Sequence, residues 1–482
     1  MNTGDWEGAP LDNPRVGSLR VICCLALCVA LGACGSKESL RKLDPDMARV
    51  VAEKRAMAKE FAAVATNPVP TEVWQFFDLV EANDWQRATN VFEHLRSEST
   101  LYSNPEPPNG FWALVHQLLG RPSASRPASA MNEVLWCPVH ETLGIAESFH
   151  DWDGQLLHRF GRDIIDSIPT NSIYFGGTDP GRFVITALSE SHRQGKPFFT
   201  ITQNALADGR YLDYVRQMYG GSIYIPTLAD SQFAFSSYLT NAQERMQSGQ
   251  LKPGEDVKMV DNRVQVSGQI AVMEINGLLV RVIFEHNPGH EFYVEESFPL
   301  DWMFPYLSPH GLILKLNQEP LAELMEPVTR KDHEYWRHYA GQLLGDWMTD
   351  TTSVKDVCDF AERVYLRRDL RAFTGDRAFA RNEMAQKSFS KLRSSIAGVY
   401  AWRKAHAETE EEKTRMAQEA DYAFRQALAL CPYSPEAVFR YVTLLTNEKR
   451  PHDALLVAQT CQRIDPANAS VTQLVQHLKQ TQ

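Results

Sequence analysis

At 482 residues, 44% of them hydrophobic and 23% charged, the chain exceeds one ordinary core and is expected to form about two to four units. A formal net charge of −11 disfavours attraction to nucleic acid, because phosphate binding rests on clustered Lys and Arg. The one strongly apolar run, Val21 to Ala33, falls short of the roughly 20 residues that span a bilayer, so nothing in the composition reads as a membrane-embedded enzyme.

That run follows Arg15 and Arg20 and suits the apolar core of a signal peptide. Its end, Leu31-Gly32-Ala33-Cys34, resembles the bacterial lipoprotein box, which implies lipidation of Cys34 and a membrane anchor. Asp5 and Glu7 are unusual in a signal's leading segment and point to a translation start further in. Gly35-Ser36 lacks the Asp that commonly marks inner-membrane retention among lipoproteins, so an outer-membrane anchor facing the periplasm is expected. With the leader removed and Cys34 acylated, Cys137, Cys358, Cys431 and Cys461 remain; no CxxC occurs, and buried free thiols are favoured over a single bridge.

Charged, Ala-rich helical spacing over 34–66 predicts a tether that lifts the body off the membrane. Residues 71–95 read as two amphipathic helices about an Asn83-Asp84 turn, with Trp74, Phe77, Trp85 and Phe92 on the shared face. "NPEPPNG" (104–110) and "GRPSASRPASA" (120–130) are loop signals. Beyond them the segments alternate: a helix closed by Pro169, the strand "SIYFGG", a helix from Asp179-Pro180 to Gly195, the strand "PFFTITQNAL", a helix closed by Gly220-Gly221, and the strand "SIYIP". This βαβ rhythm predicts a mainly parallel sheet covered by helices, an α/β domain over 131–319. After Gly254 the period shifts toward two, and "RVQVSG", "QIAVMEINGLLVRVIFEHN", "HEFYVEES" and "GLILKLN" are expected as an antiparallel extension turning at Asn276-Gly277 and Asn287-Pro288-Gly289.

A helical connector is expected over 320–400 and a repeat array over 401–482. Ala420 and Ala454, like Pro432 and Pro466, lie 34 residues apart, and small Ala427 is answered by Cys461. That period resembles the tetratricopeptide repeat, where small side chains let paired helices approach and Pro ends the second helix; one good repeat flanked by two partial ones is expected, packed on the preceding helices, as a surface for a protein partner.

Candidate chemistry centres on "SIYFGGTDPGRF". A loop at the carboxyl end of a parallel strand is where open α/β sheets bind ligands, so Gly176, Gly177 and Gly181 could admit one while Thr178, Asp179 and Arg182 contact it. No Lys-Ser/Thr follows and the spacing is not GxGxxG, so a purely structural turn with Asp179 as helix cap is favoured over ligand contact. Gln203, Asn204 and Asp208, after the second strand, would converge on the same crevice if the strands are neighbours. The cluster His286, His290, Glu291, Glu295 and Glu296 admits a metal in principle, but strand alternation parts Glu295 from Glu296 and a solvated hairpin is favoured. No metal, cofactor or catalytic residue is assigned. The basic run 363–393 is read as a charged helix face.

"NSIYFGGTDPGRF", "TITQNALADGRYLDYVRQMYG", "HEFYVEESFPLDWMFPYLSPHGLILKLN" and "FSKLRSSIAGVYAW" together resemble the soluble C-terminal region of large, uncharacterised bacterial membrane proteins related to protein O-mannosyltransferases, over about residues 131–482. In that family a many-helix transferase domain comes first and a soluble region with tetratricopeptide repeats follows. Here a lipoprotein signal (1–33) stands where the membrane domain would be, so the transferase activity is not carried over. The resemblance implies a detached extracytoplasmic module that recognises glycan, acceptor protein or another partner. The expectation is therefore a lipid-anchored binding or scaffold protein, with 67–130 as a helical hairpin and linker. The alternatives are a glycan-active enzyme using Asp179, Asp208 or Glu295 and Glu296, which needs paired carboxylates across a cleft, and a structural subunit of an envelope assembly.

Overall fold

The computed structural model describes residues 43–98, 129–177, 179–252, 254–260, 263–295 and 300–480. The apolar leader, Cys34, the loop stretches at 104–110 and 120–128, Thr178 and Glu296 lie outside the described residues. Among the described residues no helix is long and apolar enough to cross a membrane.

In chain order, α1 (Pro45–Val64), α2 (Glu72–Glu81), α3 (Trp85–Glu98), α4 (Trp136–Asp151) and α5 (Gly154–Ser167) precede β1 (Ile173–Gly176). A short helical turn, Pro180–Val184, continues as α6 (Ile185–Leu188) and leads to β2 (Phe199–Thr202), α7 (Gly209–Tyr219) and α8 (Leu228–Ser248). The hairpin β3 (Asp256–Val260) and β4 (Arg263–Ser267), α9 (Gln269–His286), β5 (Phe292–Val294), a 3-10 helix (Asp301–Tyr306), β6 (Leu307–His310) and β7 (Ile313–Leu316) complete the α/β body. Seven helices follow: α10 (Glu326–Leu344), α11 (Val354–Ala361), α12 (Glu383–His406), α13 (Glu410–Leu430), α14 (Pro435–Asn447), α15 (Pro451–Ile464) and α16 (Ala469–Gln480).

The central sheet runs β2-β1-β5-β7-β6. Strands β2, β1 and β5 are parallel, with Ile173 opposite both Phe199 and Phe292, while β7 and β6 add an antiparallel edge. All four residues of β1 and of β2 are buried, as a sheet covered on both faces requires. The order places β1 where the connections part: the chain leaves β1 to one side for β2 and later returns on its other side as β5. The carboxyl ends of β1 and β5 therefore flank a topological switch point.

Local chemistry sets the helix starts. Asp44 caps α1 through its carboxylate, which accepts from the amides of Asp46 and Met47, with Pro45 in the first turn; Asp153 caps α5 in the same way. Thr227 and Asp230 form a reciprocal capping box on α8, which Gly249 closes at φ 71°. Asn83 supplies the left-handed turn between α2 and α3 at φ 57°. Phe77 and Phe92 are buried there, while Trp74 and Trp85 pack from the edge of the core.

Four segments depart from the sequence reading. "RVQVSG", expected in the antiparallel extension of the main sheet, is β4, which pairs only with β3 in a separate two-stranded sheet because the adjacent β3 segment supplies its ladder. The stretch 269–286, expected as a hairpin about Asn276-Gly277, is the single helix α9. Its apolar residues lie on nearly every side, so they mimic alternation without following it, and a buried helix and a buried strand look alike in such a run. "SIYIP" is not a strand: the side-chain amide of Asn287 accepts from the Tyr224 amide (2.8 Å) and donates to the Tyr224 carbonyl (3.1 Å), replacing a ladder partner while Ile223 and Ile225 are buried. The helix expected to run to Gly195 ends at Leu188, and a turn across Ser191 and Lys196 brings the chain back to β2. The third parallel strand is instead β5, from the segment assigned to the antiparallel extension.

Helix α1, the described part of the expected tether, is docked on the body. Met47, Val50, Val51, Met57 and Phe61 are buried, and the helix packs along α4 and α6. One contiguous core runs from Met47 to Leu478. The C-terminal helices join it where Phe304 stacks on Trp402 (5.6 Å) and the Arg403 guanidinium donates to the carbonyls of Leu321 and Pro305 (2.6 Å each).

Candidate functional site

The loops after β1 and β2 do meet. The Asn204 side-chain amide donates to the Gly177 carbonyl at 2.7 Å, so two of the parallel strand ends share one edge. Asn276 on α9 braces the second loop, accepting from the Ala207 amide (2.7 Å) and donating to the Asn204 carbonyl (3.0 Å).

The third strand end supplies a group whose role the sequence did not disclose. Glu295, directly after β5 and 2% exposed, accepts a hydrogen bond from the Gly177 amide at 2.8 Å. A Cβ on Gly181 would lie 1.7 to 2.1 Å from the Glu295 carboxyl atoms, and one on Gly176 would lie 2.8 Å from the Gly181 carbonyl oxygen. The Tyr174 hydroxyl donates to that same carbonyl at 2.9 Å. The glycines of this turn thus make room for the protein's own chain and carboxylate, and the carboxylate sits at the amide where an anionic ligand would otherwise bind.

The remaining expected residues are dispersed around this seam. Asp179 is exposed and pairs with Arg182 at 2.6 Å; it makes no cap bond, contrary to expectation. The Arg182 guanidinium also lies 4.2 Å from the Phe183 ring. Gln203 is buried at the end of β2. Asp208 caps α7, accepting from the Arg210 amide (3.0 Å), and pairs with the Arg210 guanidinium (2.6 Å). The histidine and acid cluster disperses as well. His286 stacks on Tyr224 (4.5 Å), His290 Nδ1 faces the Asn171 carbonyl (2.7 Å) and Glu291 pairs with Lys315 (2.5 Å). Among the described residues, Asp44, Asp46 and His158 hold potential metal-ligating atoms within 4.8 Å of one another. Asp44 is spent on the α1 cap, however, and Asp46 pairs with Arg49 and Arg162, which leaves the trio already neutralised.

A second buried polar centre joins α1 to the body. Lys54, fully buried, donates to Glu141 Oε2 (2.6 Å), His192 Nδ1 (2.5 Å) and the Tyr214 hydroxyl (3.0 Å), and that hydroxyl donates to Glu141 Oε2 (2.6 Å). Burial would raise the Glu141 carboxyl, but the Lys54 ammonium outweighs it and holds the group down to about 2. Burial and the same ammonium depress His192 to about 4, so its ring is neutral and accepts. With three acceptors for its three protons, Lys54 is saturated.

In the C-terminal helices, Arg393, expected on a solvated face, is fully buried. It donates to Asp332 (2.7 Å) and Gln426 (2.7 Å), and the Tyr400 hydroxyl also donates to Asp332 (2.8 Å), which ties α10, α12 and α13 together. Burial raises the Asp332 carboxyl despite Arg393. Beside it His333 stacks on Tyr422 and lies 3.0 Å from both Glu419 and Asp350; the Glu419 hydrogen bond lifts its pKa above the ordinary value against the pull of burial. The four cysteines among the described residues, Cys137, Cys358, Cys431 and Cys461, are free and buried, and burial pushes each thiol up, Cys358 to about 11 and Cys461 to about 12.

In comparisons with known proteins, no family model, curated protein or solved structure matches the chain.

Proposed function

We propose that this is a lipid-anchored extracytoplasmic binding protein, acylated at Cys34 and accessory to envelope glycan or glycoprotein processing, with no turnover of its own. The observation that carries the reading is the engagement of the carboxylates on which an enzyme would depend. Asp179 is held by Arg182, Asp208 by Arg210 and its helix cap, and Glu295 by the Gly177 amide beneath a turn shaped around it. The α/β body offers the ligand-binding surface, and the last helices are read as a tetratricopeptide-like array that docks a protein partner. Ala420, Ala427, Ala454 and Cys461, at matching places in α13 and α15, are all fully buried, which supports that reading.

Fractionation with fatty-acid labelling tests the anchor. The wild-type chain is expected to take up label and sediment with membranes, and the Cys34→Ser variant to lose both. Label retained by that variant, or a wild-type chain that stays in the cytosol with an intact leader, overturns the reading.

A further inference from the structure

Helix α9 and the 3-10 helix that follows β5 enclose a cleft of about 360 Å³, away from the strand-end seam and within the range of small-ligand sites, roughly 300–1,000 Å³. Its floor is Phe284, 7% exposed, and its walls are Trp302 and Tyr306. The two wall rings stand at 68° with centroids 6.2 Å apart, and Phe284 meets Tyr306 edge-on at 5.7 Å. The Trp302 Nε1 proton goes to the Gly277 carbonyl (3.3 Å), which fixes the indole and leaves its polar edge satisfied. The segment packs close on the helix at Gly277, where a Cβ would stand 3.0 Å from the Leu300 side chain.

Polar groups rim the aromatic floor. Arg281 Nε donates to Glu285 Oε1 at 2.7 Å, and both side chains remain about half exposed. The Gln318 amide is oriented by its bond to the His290 carbonyl (2.8 Å), and the Tyr306 hydroxyl has no hydrogen-bond partner among the described residues. The charges cancel, so the lining offers neither a cation nor an anion a net attraction. The Trp302 face is already approached by the Arg281 guanidinium, at 5.9 Å from the ring, which disfavours a cationic ligand in that place. What remains is a flat apolar surface bordered by planar groups, guanidinium, carboxylate and amide, each of which can engage two adjacent hydroxyls at once. A pyranose has the complementary shape, with one face of C–H bonds and a perimeter of hydroxyls. A proline-rich peptide fits less well, because its repeating rings call for a track of aligned aromatic slots and not two walls set nearly at right angles.

We propose that this cleft binds the ring face of an uncharged saccharide between the Trp302 and Tyr306 walls, above the Phe284 floor, while Arg281, Glu285 and Gln318 hold its hydroxyls. The proposal rests on the reading of the α/β body as a binding unit and gives that unit its ligand class. The test is calorimetric titration of the full chain with chitotriose, maltotriose and mannotriose, and with a proline-rich decapeptide as the competing class. At least one trisaccharide is expected to bind saturably, with the Trp302→Ala variant weakened tenfold or more and Glu285→Gln weakened several-fold at unchanged thermal stability. Glu285 lies at the surface, so its variant keeps the test decisive if Trp302→Ala folds poorly. No saturable sugar binding up to millimolar concentration, binding of the peptide alone, or sugar binding unaltered by both variants overturns the proposal. Sugar binding by a protein that carries no lipid would count against the anchor alone, and a lipidated protein that binds no sugar against this site alone.

Discussion

The α/β body and the C-terminal helices each bury an ion pair, but they solve its desolvation differently. In the body, Lys54 meets three acceptors and Glu141 receives both the ammonium and the Tyr214 hydroxyl, so the carboxylate stays charged and its neighbour His192 stays neutral. In the helices, Asp332 Oδ1 and Arg393 Nη2 have no hydrogen-bond partner among the described residues, and the carboxyl is raised instead. Their histidines follow the same division: His192 is depressed by burial beside a cation, and His333 is lifted by flanking carboxylates. Burial alone does not set the sign of a shift; the number and charge of the contacts that replace water do.

Breaking the better satisfied centre is expected to cost most. Lys54→Met leaves the Glu141 carboxylate buried without its counter-charge and should destabilise the fold by about 3–5 kcal/mol, read as a lowered urea midpoint. Lys54→Met combined with Glu141→Leu should recover much of that loss. A double variant no more stable than the single would mean that the charges are not what matters there.

Acidification sharpens the contrast. His192 has a folded pKa of about 4, below its ordinary 6.5, so the stability it contributes is present above 6.5 and is lost as pH falls toward 4. Glu141 adds a second loss as pH falls from 4.5 toward 2. His333 runs the other way: its pKa is raised, so its contribution is present below 6.5 and fades as pH rises through the folded value. Hydrogen exchange between pH 7.5 and 4 should therefore show α1 and α7 losing protection, on the order of 2–3 kcal/mol by pH 4, while α10 holds or gains. Parallel loss in both regions would refute the division.

A smaller effect probes the seam. Gly181→Ala drives a methyl into the Glu295 carboxylate and should cost about 1–3 kcal/mol. Adding Glu295→Ala should make the pair less destabilising than the sum of the single changes, the signature of a direct contact. Strict additivity would remove Glu295 from the turn.

Elements bounded by their own chemistry were legible in the sequence. The strands β1, β2 and β7, the helices α5 and α7, and the Asn83 turn each carry a Pro, Gly, Asp or Asn at the place where the backbone needs one. The Gly177 and Asn204 loops meet through one hydrogen bond because β1 and β2 are neighbours, the condition on which the βαβ rhythm brings them together. What escaped depends on partners distant in sequence. Glu295 reaches its amide across 118 residues, and a carboxylate written beside Glu296 gives no sign of burial. Lys54 reads as a solvated position on a charged helix until Glu141 and His192 are brought to it. Helix α9 is not legible as a helix because its apolar residues surround it, and the cleft that depends on Arg281, Phe284 and Glu285 sharing one helical face is hidden with it.

The clamp on α1 bears on how far this molecule can stray from a bilayer. If Cys34 carries lipid as proposed, nine residues lie between it and Asp44, the cap of α1. Ten residue steps can reach at most about 35 Å. On that reading the docked α1, and not a free helix, sets the upper bound on how far the body stands from its anchor.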